Sequence, residues 1–113
     1  MHQGKAITRK LVLQAGWQQI LEYSEQRVAL ILSVLDANTI YLSFSPPSAA
    51  GLGAAEGHLL DASHSPLVLA DYLALRLFAG PIYAYASVAN VPVYVTEVIV
   101  GEECRERLNA LVR

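Results

Sequence analysis

The sequence predicts a mainly β protein, an antiparallel β-sandwich of jelly-roll type carrying a short C-terminal α-helix. Three observations lead there. Apolar residues alternate with period two in short runs at 40–44, 82–88 and 93–100, the pattern of strands with one dry face. Turn-forming groups separate the runs: Asp36-Ala37-Asn38-Thr39, Gly80-Pro81 and Asn90 to Pro92. The one convincing amphipathic helical stretch lies at 102–113, after the last of these runs.

Taken in order, residues 1–5 read as a flexible arm. Ile7, Leu11 and Leu13 then fall at even spacing, which predicts a first strand over 6–14; a two-turn helix is the competing reading. Ala15-Gly16 makes a bend, and 17–23 form a second strand ending near Glu22. Trp17, a lone tryptophan after a glycine, reads as a core plug or an interface anchor. Ser24-Glu25-Gln26 turns the chain into its centre. There 28–35 is nearly continuous in Val, Ile and Leu, while 40–44 alternates, with Ile40, Leu42 and Phe44 on one side. The two runs flank an Asp/Asn turn, so they are expected to pair as the core hairpin.

Residues 45–57 change the texture. Pro46-Pro47 stops the strand, and the Ser, Ala and Gly that follow cannot build a core. A loop of this length is expected to touch a partner. Its Gly51-x-Gly53 pair lacks the glycine spacing and the lysine of a phosphate loop. His58 to Asp61 fits a short strand, and 62–66 a turn. Over 67–77 both periods fit: Leu69, Leu73 and Leu77 with Tyr72 for a helix, or Leu67-Leu69 and Leu73-Leu75-Leu77 for strands. In 82–88, Ile82, Ala84, Ala86 and Val88 oppose Tyr83, Tyr85 and Ser87, and the expected partner of this strand is 93–100. Pro92 marks an edge or a strand start. In the predicted C-terminal helix, Cys104, Leu108, Leu111 and Val112 share a face, with acidic residues in the first turn and Arg113 at the end.

Composition bounds the function. The 113 residues suit one domain. They are 54% hydrophobic and 16% charged, against about 25% charged in ordinary soluble domains. No run reaches the length of a membrane helix, and the first residues lack the apolar core of a signal peptide. The surplus apolar surface therefore points to a subunit interface, and to a homo-oligomer with three subunits as the expected number. A formal net charge of −2 argues against a general nucleic-acid binder. A single cysteine, Cys104, excludes an internal disulfide.

Candidate chemistry is sparse. His58, Asp61 and His64 have a spacing that would share a face on a helix, but their neighbours favour loop and strand, so no metal is expected. Ser63, His64 and Asp61 lack a nucleophile elbow. Glu102, Glu103 and Glu106 read as a solvated helix face, and Cys104 as a small hydrophobe. No enzyme and no cofactor are predicted. The interface candidates are Trp17, Pro46, Pro47, Leu52, Tyr83, Tyr85, Leu108, Leu111 and Val112.

The order of signals carries a resemblance. Arg27 opens an apolar strand, and Asn38-Thr39-Ile40-Tyr41-Leu42 follows. After the loop come Pro66-Leu67 to Tyr72, then Gly80-Pro81-Ile82-Tyr83-Ala84-Tyr85-Ala86-Ser87, and Val91 to Glu97 closes the pattern. Over 27–97 this resembles the small β-sandwich virion proteins of tailed bacteriophages, the class of capsid decoration (cement) and head-fibre proteins. The resemblance implies a non-enzymatic homo-oligomer, often a trimer, bound to the major capsid protein on the virion surface. Neck, tail and fibre components carry related domains, and a carbohydrate-binding module is the other reading. The helix at 102–113 has no counterpart in that pattern.

Overall fold

A computed structural model describes residues 4–34, 38–70 and 79–100. Among these residues eight strands are formed: β1 (Lys5–Leu13), β2 (Gly16–Leu21), β3 (Arg27–Val34), β4 (Thr39–Ser43), β5 (His58–Asp61), β6 (Leu67–Ala70), β7 (Ile82–Ala86) and β8 (Val91–Ile99). A one-turn helix, α1 (Pro47–Ala50), lies inside the β4–β5 connection, and a 3-10 turn spans Ala62–His64. The strands make two antiparallel four-stranded sheets, in the orders β1-β8-β3-β6 and β2-β7-β4-β5.

This order has a simple origin. The pairs β1–β8, β2–β7, β3–β6 and β4–β5 nest inside one another. The second half of the chain therefore retraces the first as one long antiparallel ribbon, whose tip is the β4–β5 loop. Two further pairings, β3–β8 and β4–β7, lay successive stretches of the ribbon side by side within each sheet.

Period-two alternation fixes which residues face the interior. Leu30, Leu32 and Val34 of β3 and Val91, Val93 and Val95 of β8 point inward from the first sheet. Ile40, Leu42, Leu60, Ile82, Ala84 and Ala86 do so from the second, and all of them belong to one buried cluster. Each large aliphatic side chain in it contributes about 1.5–3 kcal/mol through burial.

The strands expected from the sequence exist, but two expected pairings do not. The runs at 28–35 and 40–44 are not a hairpin: β3 pairs with β6 and β8, whereas β4 pairs with β5 and β7 in the other sheet. Likewise 82–88 and 93–100 are not partners, since β8 pairs with β1 and β3. The reason is the same in both cases. Each strand of these pairs has one dry face, and the two dry faces are buried from opposite sides of the core rather than from within one sheet. Three smaller corrections follow. Phe44 lies beyond the end of β4 and is exposed; Lys5, placed in the arm, opens β1 opposite Ile99; and the 45–57 loop contains α1. Pro92 sits at the start of β8, a strand paired on both sides. Of 67–77, the first four residues are strand β6; the rest, like the predicted helix at 102–113, lies outside the described residues.

Candidate interaction face and the buried arginine

On the outer face of the β2-β7-β4-β5 sheet, register brings Trp17, Tyr85, Tyr41 and Leu59 into one row across all four strands. The Trp17 and Tyr85 rings are 5.6 Å apart at 58°, and those of Tyr41 and Tyr85 6.3 Å apart at 59°. These are edge-to-face contacts. The rings thus form an interlocked cluster instead of the coplanar strip on which sugar rings stack. Tyr83 occupies the next row, between Gln19 and Ser43.

The β4–β5 loop is fastened to this face. The Trp17 indole Nε1 donates to the Gly53 carbonyl at 3.0 Å. Within the loop, Pro47 begins α1, where its missing N–H costs nothing. Gly51, at φ +71°, ends the helix in the left-handed conformation. The Glu56 carboxylate then accepts from the Gly53 N–H at 3.1 Å. The sequence-predicted interface residues thereby divide. Trp17, Tyr83 and Tyr85 lie on one sheet face, and Pro46, Pro47 and Leu52 belong to the loop that Trp17 holds. Leu108, Leu111 and Val112 fall outside the described residues. We expect Trp17→Phe, which keeps the ring and removes the donor, to cost at most about 1 kcal/mol but to speed proteolytic cleavage within 47–56. An unchanged cleavage rate would mean that the indole does not hold the loop.

A second constellation lies at one end of the two sheets. A β-bulge in β3 between Arg27 and Ala29 turns Arg27 back toward the inner side, where it is 1% exposed. Its Nε donates to Glu97 Oε2 at 3.0 Å, Nη1 to the Gly80 carbonyl at 3.0 Å and Nη2 to the Glu22 carbonyl at 2.6 Å. Glu97 also receives Arg9, whose side chain is 49% exposed. One guanidinium therefore ties β3 to β8, to the β2–β3 connection and to the turn before β7. The planar fork makes this possible, because an ammonium cannot address acceptors in three directions within a plane. An open cleft of about 640 Å³ lies over this knot, lined among others by Arg9, Gln19, Tyr23 and Ser24.

Sequence reading placed Arg27 only as the start of a strand and gave Glu97 no role. A signal was present: one arginine heading a Val/Leu/Ile run and one glutamate inside VYVTEVIV are opposite charges embedded in otherwise buried strands. Such charges persist there when they are paired.

His58 is exposed on β5 with its ring 5.7 Å from that of Phe44. Among the described residues, no three His, Cys, Asp or Glu side chains come together as a metal site, and no helix is long and apolar enough to cross a membrane. No family model, no curated protein and no solved structure matches the chain.

Proposed function

We propose that this chain is a jelly-roll β-sandwich that works as a non-enzymatic structural protein of a tailed-phage virion, binding and stabilising the capsid shell as a decoration protein. The observation that carries this reading is the strand order β1-β8-β3-β6 with β2-β7-β4-β5. It is the order produced by winding one antiparallel ribbon around a common core, the jelly-roll arrangement that recurs in viral capsid proteins. The motif order over 27–97 resembles phage virion proteins independently of that topology. The low charge of the chain supports a life in an assembly, with copies of itself and with the major capsid protein. A neck, tail or fibre position uses the same properties. The carbohydrate-binding reading is weaker, because the aromatic row is tilted and holds a loop of its own chain.

The attachment element in this proposal is the ribbon tip, 44–57, which carries Pro46, Pro47 and Leu52 and is fastened to Trp17 through the Gly53 carbonyl. Trp17 and α1 give the tip a shape before binding, which lowers the ordering cost of attachment. Replacing 46–56 with a short glycine-serine link should leave the sheets intact by far-UV circular dichroism. Binding to assembled shells, read by cosedimentation, should fall at least tenfold. Undiminished binding would remove the loop from the attachment surface.

A further inference from the structure

We infer that the cleft over the Arg27 knot binds a small uncharged polyhydroxyl ligand, of the size of one or two sugar rings. This goes beyond the attachment reading and does not depend on it. The site also makes no use of the aromatic row of Trp17, Tyr85 and Tyr41, none of which lines the cleft.

Two irregularities shape the cleft. Among the described residues the sheets show two register shifts, between Gln19 and Leu21 in β2 and between Arg27 and Ala29 in β3. Gln19, Leu21 and Arg27 all line the cleft. Bulges recur where a sheet re-aims side chains beside a binding site, and here two of them meet. Lys5 to Lys10 of β1 are exposed on both faces, so the inner face of that strand stays uncovered beside them. The walls are held before any ligand arrives. The Ser24 N–H donates to the Ala79 carbonyl at 2.8 Å, and the Arg27 N–H donates to the Ser24 carbonyl at 3.2 Å. Arg27 Nη2 fixes the Glu22 carbonyl, and Gln19 Nε2 donates to the Leu21 carbonyl at 3.2 Å. Arg9 is steadied by Glu97, which Arg27 anchors in turn. The volume of about 640 Å³ falls within the roughly 300–1,000 Å³ of small-molecule sites.

The groups on the walls select the class of ligand. Arg9 and Arg27 bring two positive charges, and Glu22 and Glu97 two negative ones. An anion and a cation therefore each meet as much repulsion as attraction. An apolar ligand would strip water from these polar groups and return no hydrogen bond. A neutral ligand dense in hydroxyls meets both needs, since every hydroxyl donates and accepts. The Arg9 guanidinium, the Gln19 amide and the Glu22 carboxylate are planar groups that each address two neighbouring hydroxyls. Ser24 adds a hydroxyl of its own. Tyr23, 60% exposed, gives the C–H side of a sugar ring an apolar plane.

The test is an amide NMR titration of the full chain with glucose, galactose, mannose, N-acetylglucosamine, maltose and lactose, and with sodium phosphate and glycine as charged probes. Each is taken to about 50 mM, above the millimolar dissociation constants within reach of a ligand this small. The expected result is a saturable shift from at least one sugar on the amides of Arg9, Gln19, Tyr23 and Ser24, and none there from phosphate or glycine. Tyr23→Ala and Gln19→Ala, both at exposed positions, should leave the rest of the spectrum unchanged. Each should weaken that sugar about fivefold or more, the scale of one hydrogen bond or ring contact. The inference is overturned by any of four results: no saturable shift from any of the sugars, shifts centred on Trp17 and Tyr85 instead, saturation of the cleft by phosphate or glycine, or binding that neither substitution weakens. Shell attachment is read by cosedimentation and runs through 46–56, so either result can fail while the other stands.

Discussion

Arg27→Met lowers the unfolding free energy by about 3–5 kcal/mol, the range for breaking one side of a buried ion pair. On a domain of this size the loss corresponds to a fall in Tm of roughly 10–20 °C. The methionine fills much of the same volume, so the effect isolates the polar contacts rather than a cavity. Three partners lose their donor: the Glu97 carboxylate and the carbonyls of Glu22 and Gly80. Glu97 keeps Arg9, but that side chain is half exposed and its pairing with Glu97 is screened. Arg27→Lys recovers only part of the loss, since an ammonium does not reproduce the fork. In the double variant Arg27→Met, Glu97→Met no carboxylate is left beside an apolar side chain. The double loss should be smaller than the sum of the single ones by about 1–3 kcal/mol. Urea denaturation of the four proteins measures this; strict additivity would mean that the two residues do not act as a pair.

Gly57→Ala should cost about 2–3 kcal/mol, the scale of a non-glycine residue forced into a glycine conformation. Gly57 joins the ribbon tip to β5 at φ +120°. A Cβ built there lies 2.7 Å from the Leu42 carbonyl oxygen, a backbone atom of the neighbouring strand that cannot turn aside. The control is Gly16→Ala at the β1–β2 bend. There φ is +99° but nothing lies within 4 Å of the added carbon, so only the dihedral cost remains, about 1 kcal/mol. Thermal or urea unfolding of both variants should rank Gly57→Ala well below Gly16→Ala in stability. Equal losses would mean that β4 and β5 separate to admit the methyl group.

What the sequence made legible was local. Alternation in Ile82-Tyr83-Ala84-Tyr85-Ala86 and in Val91 to Val95 states which residues are buried, and the structure buries Ile82, Ala84, Ala86, Val91, Val93 and Val95. Alternation does not state which strand lies alongside. A short turn signal between two apolar runs suggests a hairpin, yet β3 and β4 belong to different sheets, as β7 and β8 do. Pairing here is decided by the whole ribbon, through contacts between residues as far apart as Lys5 and Ile99. The aromatic face was half legible for the same reason. Trp17, Tyr83 and Tyr85 stand out by type, but only the register places Trp17 beside Tyr85, and only the folded tip brings Gly53 to the indole. The cleft over Arg27 was invisible in sequence, because the two bulges that shape it follow from pairing rather than from residue type.

The proposed placement of the chain on a virion is tested most directly by fractionating a lysate of its source on a density gradient and finding the chain by mass spectrometry. A decoration protein bands with intact particles and stays with them through a second gradient, and that is the expected result. Recovery of the chain only in the soluble fractions at the top, with particles free of it, would rule out a place on the virion.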